Sequence, residues 1–157
     1  MTNLEQAARE FLSCPRIAVA GVSRDRHQAA NAIYRKLKTS GHTVFATNPK
    51  AERVEGDRCY PDLRSIPGGV EAVVIATPPD VAILVVRECR DLGIRRVWMH
   101  RSFGQGSVTD EAVTFCRENG ITVIAGACPL MFCDPVDLGH RCVRTILGWF
   151  GRLPNVP

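Results

Sequence analysis

The sequence predicts an α/β fold: a doubly wound, mostly parallel five-stranded sheet with helices on both faces. Two observations carry that prediction. Apolar runs of four to six residues, the length of buried strands, alternate with longer stretches whose apolar residues return every three or four positions. Glycine or proline closes most of these segments, at Pro15, Gly21, Gly41, Pro49, Pro78, Gly93 and Gly120. Strands alternating with helices build βαβ units, whose parallel crossovers are nearly always right-handed.

Taken in order, residues 3–12 form a short amphipathic helix that ends before Pro15. Residues 16–20 (RIAVA) are the first strand, stopped by Gly21. Residues 28–40 fit a helix with Ala30, Ile33, Tyr34 and Leu37 on one face, and 43–46 (TVFA) a second strand closed by Asn48-Pro49. The stretch 50–69 is rich in charge, glycine and proline and reads mostly as loop, tucked down by Val54, Tyr60 and Leu63. Residues 71–76 (EAVVIA) are a buried strand. The helix after it starts at Pro79, turns Val81, Leu84, Val85 and Cys89 inward and stops near Gly93. Residues 96–99 (RVWM) and 121–125 (ITVIA) are the last strands, with a helix at 109–118 between them. Val143, Ile146, Leu147 and Phe150 stand at helical spacing and predict a closing helix that covers the sheet. The whole is one Rossmann-like domain over 1–157, with its core at about 14–126 and the closing helix at 136–150.

Composition limits the function. Hydrophobic residues are 45% and charged residues 23%, as in globular chains and unlike disordered or fibrous ones. The net charge of +4 suits an anionic ligand. Aromatics are 6%, and no basic stripe with interleaved aromatics is present, so nucleic acid is not an expected partner. The N-terminal segment carries Glu5, Arg9 and Glu10 instead of an apolar signal region, and the apolar runs are far short of the ~20 residues of a membrane span. Seven cysteines without a CxxC pair predict reduced thiols and a cytoplasmic protein away from membranes.

In sheets of this kind ligands bind beyond the carboxyl ends of the strands. Five loops are therefore the candidates: 21–26, 47–50, 77–79, 100–104 and 126–128. In the first, Gly21 permits a sharp turn and a close backbone approach, while Ser23, Arg24 and Arg26 are donors for phosphate oxygens beside a helix N-terminus. One glycine stands where the dinucleotide motif GxGxxG has three. The second loop, Thr47-Asn48-Pro49-Lys50 with Arg53 beyond, has cations where NAD-binding domains place a carboxylate. That suits a phosphorylated ribose or a pyrophosphate. The third, Thr77-Pro78-Pro79, lacks two backbone donors and offers a flat apolar wall to an adenine or a pantetheine arm.

These residues resemble the small stand-alone CoA-binding proteins, whose domain is similar to the CoA-binding domain of the succinyl-CoA synthetase alpha subunit. The matching features are Gly21-Val22-Ser23 with Asn31 in the helix, Asn48-Pro49, YPDL at 60–63, Thr77-Pro78-Pro79, VWMH at 97–100 before a glycine loop, and Cys128-Pro129. They run over residues 12–150. The resemblance implies a Rossmann-type fold that binds coenzyme A. Gly21, Val22, Ser23 and Arg24 then line the phosphate or adenine end, Lys50 meets a phosphate, and Thr77, Pro78 and Pro79 flank the pantetheine or adenine. Departures from the synthetase pattern weigh against ligase activity: the chain ends before a domain with a catalytic phosphohistidine could be accommodated, and residues 101–104 (RSFG) lack the acidic residue of the synthetase loop.

Other clusters carry less chemistry. Cys128, Cys133, His140 and Cys142 do not reproduce the paired spacing of zinc sites and read as packing cysteines. Cys128, at a strand end, is the candidate for a reactive thiol, and His100 for a structural or ligand contact. Trp98 and Trp149 read as core or interface aromatics. The expected function is a CoA- or acyl-CoA-binding protein without catalysis of its own, with room for a partner enzyme or a homodimer. The alternative is an NAD(P)-dependent oxidoreductase or another nucleotide-binding enzyme on the same fold.

Overall fold

The computed structural model describes residues 2–101, 104–154 and 156. Its strands are β1 (Arg16–Ala20), β2 (Thr43–Thr47), β3 (Arg53–Val54), β4 (Asp57–Tyr60), β5 (Ala72–Ile75), β6 (Arg96–Met99) and β7 (Thr122–Ala125). Its helices are α1 (Asn3–Leu12), α2 (Ala29–Thr39), α3 (Pro79–Asp91), α4 (Asp110–Glu118) and α5 (Leu138–Trp149), with a short 3-10 turn at Pro129–Met131 before α5. The sheet order is β3-β4-β2-β1-β5-β6-β7, parallel throughout except for the β3–β4 pair.

Side chains alternate across a strand, so each central strand feeds two cores. Ile17, Val19, Val74, Trp98 and Ile124 pack with α1, α2 and Leu147 of α5 on one face. Ala18, Ala20, Val73, Ile75, Val97 and Met99 pack with α3 and α4 on the other. The doubly wound architecture is the predicted one.

Three expectations are corrected. The sheet has seven strands among the described residues, not five, because 50–69 is not mostly loop. Glu55 (φ 52°) and Gly56 (φ 80°) both take left-handed conformations and form the two-residue turn of a β3–β4 hairpin. β4 then extends the parallel sheet beyond β2. The second correction concerns α3, which buries Ala82, Val86 and Cys89 and leaves Leu84 58% exposed and Val81 at the surface. Cys89 is buried as expected and Val85 is half-buried against the core, but Ala82 and Val86 are buried where Val81 and Leu84 were expected. The third concerns α5, which starts at Leu138 rather than 136 and brings only part of its expected apolar stripe to the core. Leu147 is buried and Val143 half-buried, whereas Ile146, Trp149 and Phe150 are exposed, Trp149 to 82%. Trp98, by contrast, is fully buried and donates from Nε1 to the Gly126 carbonyl at 3.0 Å.

Candidate functional site

The chain leaves β1 for β2 on one side and later returns to β5 on the other. The carboxyl ends of β1 and β5 therefore flank the topological switch point, where a doubly wound sheet opens a crevice. Gly21 sits at this point with φ +101°, and a Cβ there would lie 2.4 Å from the Ala76 carbonyl oxygen. No side chain can occupy that space, so the first and third loops approach backbone to backbone.

Beyond Gly21 the chain runs through residues 22–28 before α2 begins. Asn31, fully buried on the first turn of α2, anchors this loop. Its Oδ1 accepts from the Ser23 N–H at 3.0 Å, and its Nδ2 donates to the Ser23 carbonyl at 2.8 Å. The Ser23 hydroxyl accepts from the Asp25 N–H at 3.0 Å, and Asp25 in turn accepts from the His27 N–H and the Gln28 amide. No side chain caps α2 at Gln28, which leaves first-turn N–H groups open to a ligand or solvent. Arg24 is exposed beside them.

A residue missed by sequence reasoning holds this arrangement. Glu55, at the hairpin turn, has a side chain only 4% exposed. It accepts from Asn31 Nδ2 at 2.8 Å and from Arg35 at 2.7 Å, and lies 3.4 Å from the Arg26 guanidinium. Burial pushes its carboxyl up, but the hydrogen bonds and cations together hold it below the usual carboxylate range. Arg26 is thus tied to an acid on the far side of the loop. The available signal was Glu55-Gly56, a turn pair inside a charged stretch. Ser107, 2% exposed, was also missed and has no sequence signal; its hydroxyl donates to the Thr77 carbonyl at 2.6 Å.

The second loop docks on the first. Asn48 donates from Nδ2 to the Val22 carbonyl at 3.0 Å and accepts the Lys50 N–H at 2.9 Å, so its side chain is a strut between loops. Pro49 and Lys50 are exposed and, with Arg53 and Arg58, line a cavity of about 720 Å³ beside the loop. In the third loop, Pro78 caps α3, Pro79 occupies its first turn, and Thr77 is half-buried against Gly21. The twelve predicted site residues therefore converge on one rim. Ser23, Arg24 and Lys50 stand at its accessible side, while Asn31, Asn48 and Arg26 brace it.

Farther along the same edge, His100 is half-buried, and that burial lowers its pKa. Cys128 is buried, which removes the exposure a reactive thiol needs. Cys133 contacts the Ser40 hydroxyl, and His140 pairs with Asp137 at 2.6 Å. Among the described residues no three His, Cys, Asp or Glu side chains converge as a metal site.

Residues 15–134, from the start of β1 to past β7, match the family described as CoA binding domain. The chain belongs to that family. The CoA binding domain here is 34% identical over 73 residues to an ADP-forming acetate–CoA ligase of Archaeoglobus fulgidus, an alignment covering 46% of this chain and 11% of the ligase. Across four such archaeal ligases or their subunits, the matched part spans 11 to 18% of the relative's length. A hypothetical protein from Pyrococcus horikoshii superposes with a TM-score of 0.77 at 26% identity, covering 87% of this chain and 96% of that one. An acetyl-coenzyme A synthetase of Ca. Korarchaeum cryptofilum, solved with phosphate and ADP, superposes with a TM-score of 0.65 at 27% identity, covering 78% of this chain and 27% of that one. No helix among the described residues is long and apolar enough to cross a membrane.

Proposed function

We propose that this protein binds coenzyme A or an acyl-CoA at the crevice between β1 and β5 and does not transform it unaided. The supporting observation is the rim itself: Gly21 lets the first and third loops meet backbone to backbone, and donors stand around that junction. Arg24 and the open N-terminus of α2 suit the pyrophosphate, with Ser23 beside them able to turn its hydroxyl from the Asp25 carbonyl to a phosphate oxygen. Lys50, with Arg53 and Arg58 behind it, suits the ribose phosphate, and Pro78-Pro79 gives the pantetheine arm an apolar wall. The polar side chains nearest the crevice, Asn31, Asn48 and Ser107, are engaged in holding loops together, which favours binding over chemistry.

The ligases that share this domain supply the rest of the proposal. Acyl-group chemistry would then fall to a partner enzyme, with this chain as the CoA-holding part. Six buried cysteines, a stable arrangement where thiols stay reduced, agree with a cytoplasmic setting.

Titration calorimetry with CoA, acetyl-CoA, NAD and NADP tests this reading. CoA and acetyl-CoA are expected to bind one per chain and more tightly than either nicotinamide dinucleotide. Tighter binding of NAD or NADP would instead support an oxidoreductase. Joint replacement of Ser23 and Arg24 by alanine should weaken CoA binding without changing the melting temperature; unchanged affinity would move the phosphates away from the first turn.

A further inference from the structure

A second cavity of about 420 Å³ opens on the same edge of the sheet, past β6 and β7. Its walls are apolar at Ala127, Leu147 and Leu153, and it carries two guanidinium groups, Arg101 and Arg152. Both arginines are set by backbone structure. The Arg101 N–H donates to the Ala127 carbonyl at 3.0 Å in an isolated antiparallel bridge just past the ends of β6 and β7. Its guanidinium lies against Gly126, where a Cβ would come within 3.3 Å of Nη2, so glycine there keeps the arginine in place. Arg152 follows the end of α5, where the Gly151 N–H donates to the Gly148 carbonyl and the Arg152 N–H to the Leu147 carbonyl. That is the Schellman pattern, which fixes the direction of the departing chain. Arg101 is half-buried, and among the described residues neither guanidinium pairs with an acid. Contrast Arg26 and Arg35, which converge on Glu55.

A half-buried guanidinium at Arg101, an exposed one at Arg152 and apolar side chains at Ala127, Leu147 and Leu153 together favour an anion that brings its own apolar stem. The cavity's place on the sheet narrows the choice. With strands ~4.8 Å apart, β6 and β7 stand roughly 10–14 Å from β1. A pantetheine arm, about four peptide units long, extends over a similar ~14 Å. A ligand whose phosphates sit at Gly21 therefore has an arm long enough to bring its thioester end to this cavity. We propose that the cavity at Arg101 and Arg152 is an acyl subsite that selects acyl groups ending in a carboxylate. This inference rests on the reading that CoA is the ligand.

Succinyl-CoA and butyryl-CoA, which differ at the chain end by a carboxylate in place of a methyl, are the matched probes. Calorimetry should give succinyl-CoA a roughly 10- to 100-fold tighter affinity, the range of charge-assisted hydrogen bonds. Arg101→Gln should collapse that ratio toward one while leaving the affinity for CoA itself unchanged, and Arg152→Gln should reduce it. Free succinate, titrated into the protein saturated with CoA, should bind far more weakly than the tethered carboxylate. Equal affinity for the two thioesters would overturn the acyl subsite and leave CoA binding intact. Tight binding of free succinate in the absence of CoA would also overturn it, in favour of an independent carboxylate site. If none of the thioesters nor CoA bound, the proposed function would fall and this inference with it.

Discussion

Asn31 ties the first loop, α2 and the β3–β4 hairpin together, and its replacement by alanine puts a number on that role. The substitution deletes three hydrogen bonds, two to the Ser23 backbone and one to Glu55, from a residue with no exposed surface. Each is worth ~1 kcal/mol net, and partner groups left unsatisfied out of water add to the loss, so about 4 kcal/mol is expected. For a domain of this size each kcal/mol moves Tm by ~2–4 °C, which gives a fall of roughly 8–16 °C. Equilibrium urea unfolding and a thermal melt read the stability, and calorimetry reads a CoA affinity weakened at least tenfold. Asn31→Asp adds a second readout. It keeps an acceptor for the Ser23 N–H but sets a carboxylate beside Glu55, so one of the two acids takes up a proton more readily. That variant should lose less stability, relative to the parent, at pH 5 than at pH 8. A loss below about 1 kcal/mol in Asn31→Ala, with unchanged CoA affinity, would refute the claim that this amide holds the loop.

Other outcomes follow from the same geometry. Gly21→Ala should destabilise by about 3 kcal/mol or more, from a left-handed φ and a clash with the Ala76 carbonyl; a variant as stable as the parent in urea would show that the loops need not touch. Stability should fall in two acid steps when urea midpoints are followed from pH 8 to 3. Burial lowers the His100 pKa, so its contribution is complete above the ordinary histidine value near ~6.5 and drains as pH falls below it; His100→Gln should flatten this step. Glu55 and Asp57 are held below their ordinary values. Asp57 is held there by hydrogen bonds from Lys38 and Tyr34. Their contributions are complete above about pH 4.5 and are lost as pH falls through the lowered values. A single step with its midpoint above pH 5 in the His100→Gln variant would contradict the assignment. Cys142 is the exposed cysteine and six others are buried, so Ellman's reagent should titrate one thiol rapidly in the folded protein and seven in guanidinium. Fast reaction of two or more would show that the cysteine cores are open.

The central strands were legible because β1, β5, β6 and β7 are buried on both faces and so appear as unbroken apolar runs. The same holds for α2, whose predicted Ala30, Ile33, Tyr34 and Leu37 are all buried. The hairpin at Arg53–Tyr60 was not legible. Its strands are two and four residues long, too short for a period-2 pattern to stand out from the surrounding charge. On α3 the unbroken apolar run 81–86 hides the face that the charges mark: Leu84 shares its side of the helix with Asp80, Arg87, Glu88 and Asp91 and stays out, while Ala82, opposite them, goes in. The exposed stripe of α5 reads in sequence like a covering helix, since spacing states that residues share a face but not what lies opposite. The candidate rim was proposed from turn chemistry at Gly21, Asn48-Pro49 and Pro78-Pro79 together with the family resemblance. Its bracing was hidden, because Glu55 and Ser107 lie 24 and 30 residues in sequence from Asn31 and Thr77, the residues they hold, and no local pattern links them.

The location of coenzyme A is measured most directly by amide chemical-shift mapping of the labelled protein during a CoA titration. The largest changes are expected at Gly21, Val22, Ser23 and Arg24, at Ala29 and Ala30 on the first turn of α2, and at Lys50 and Thr77. Saturating changes confined to the opposite end of the sheet, around the cavity lined by Leu12, Ser40, His42 and Cys133, would contradict it.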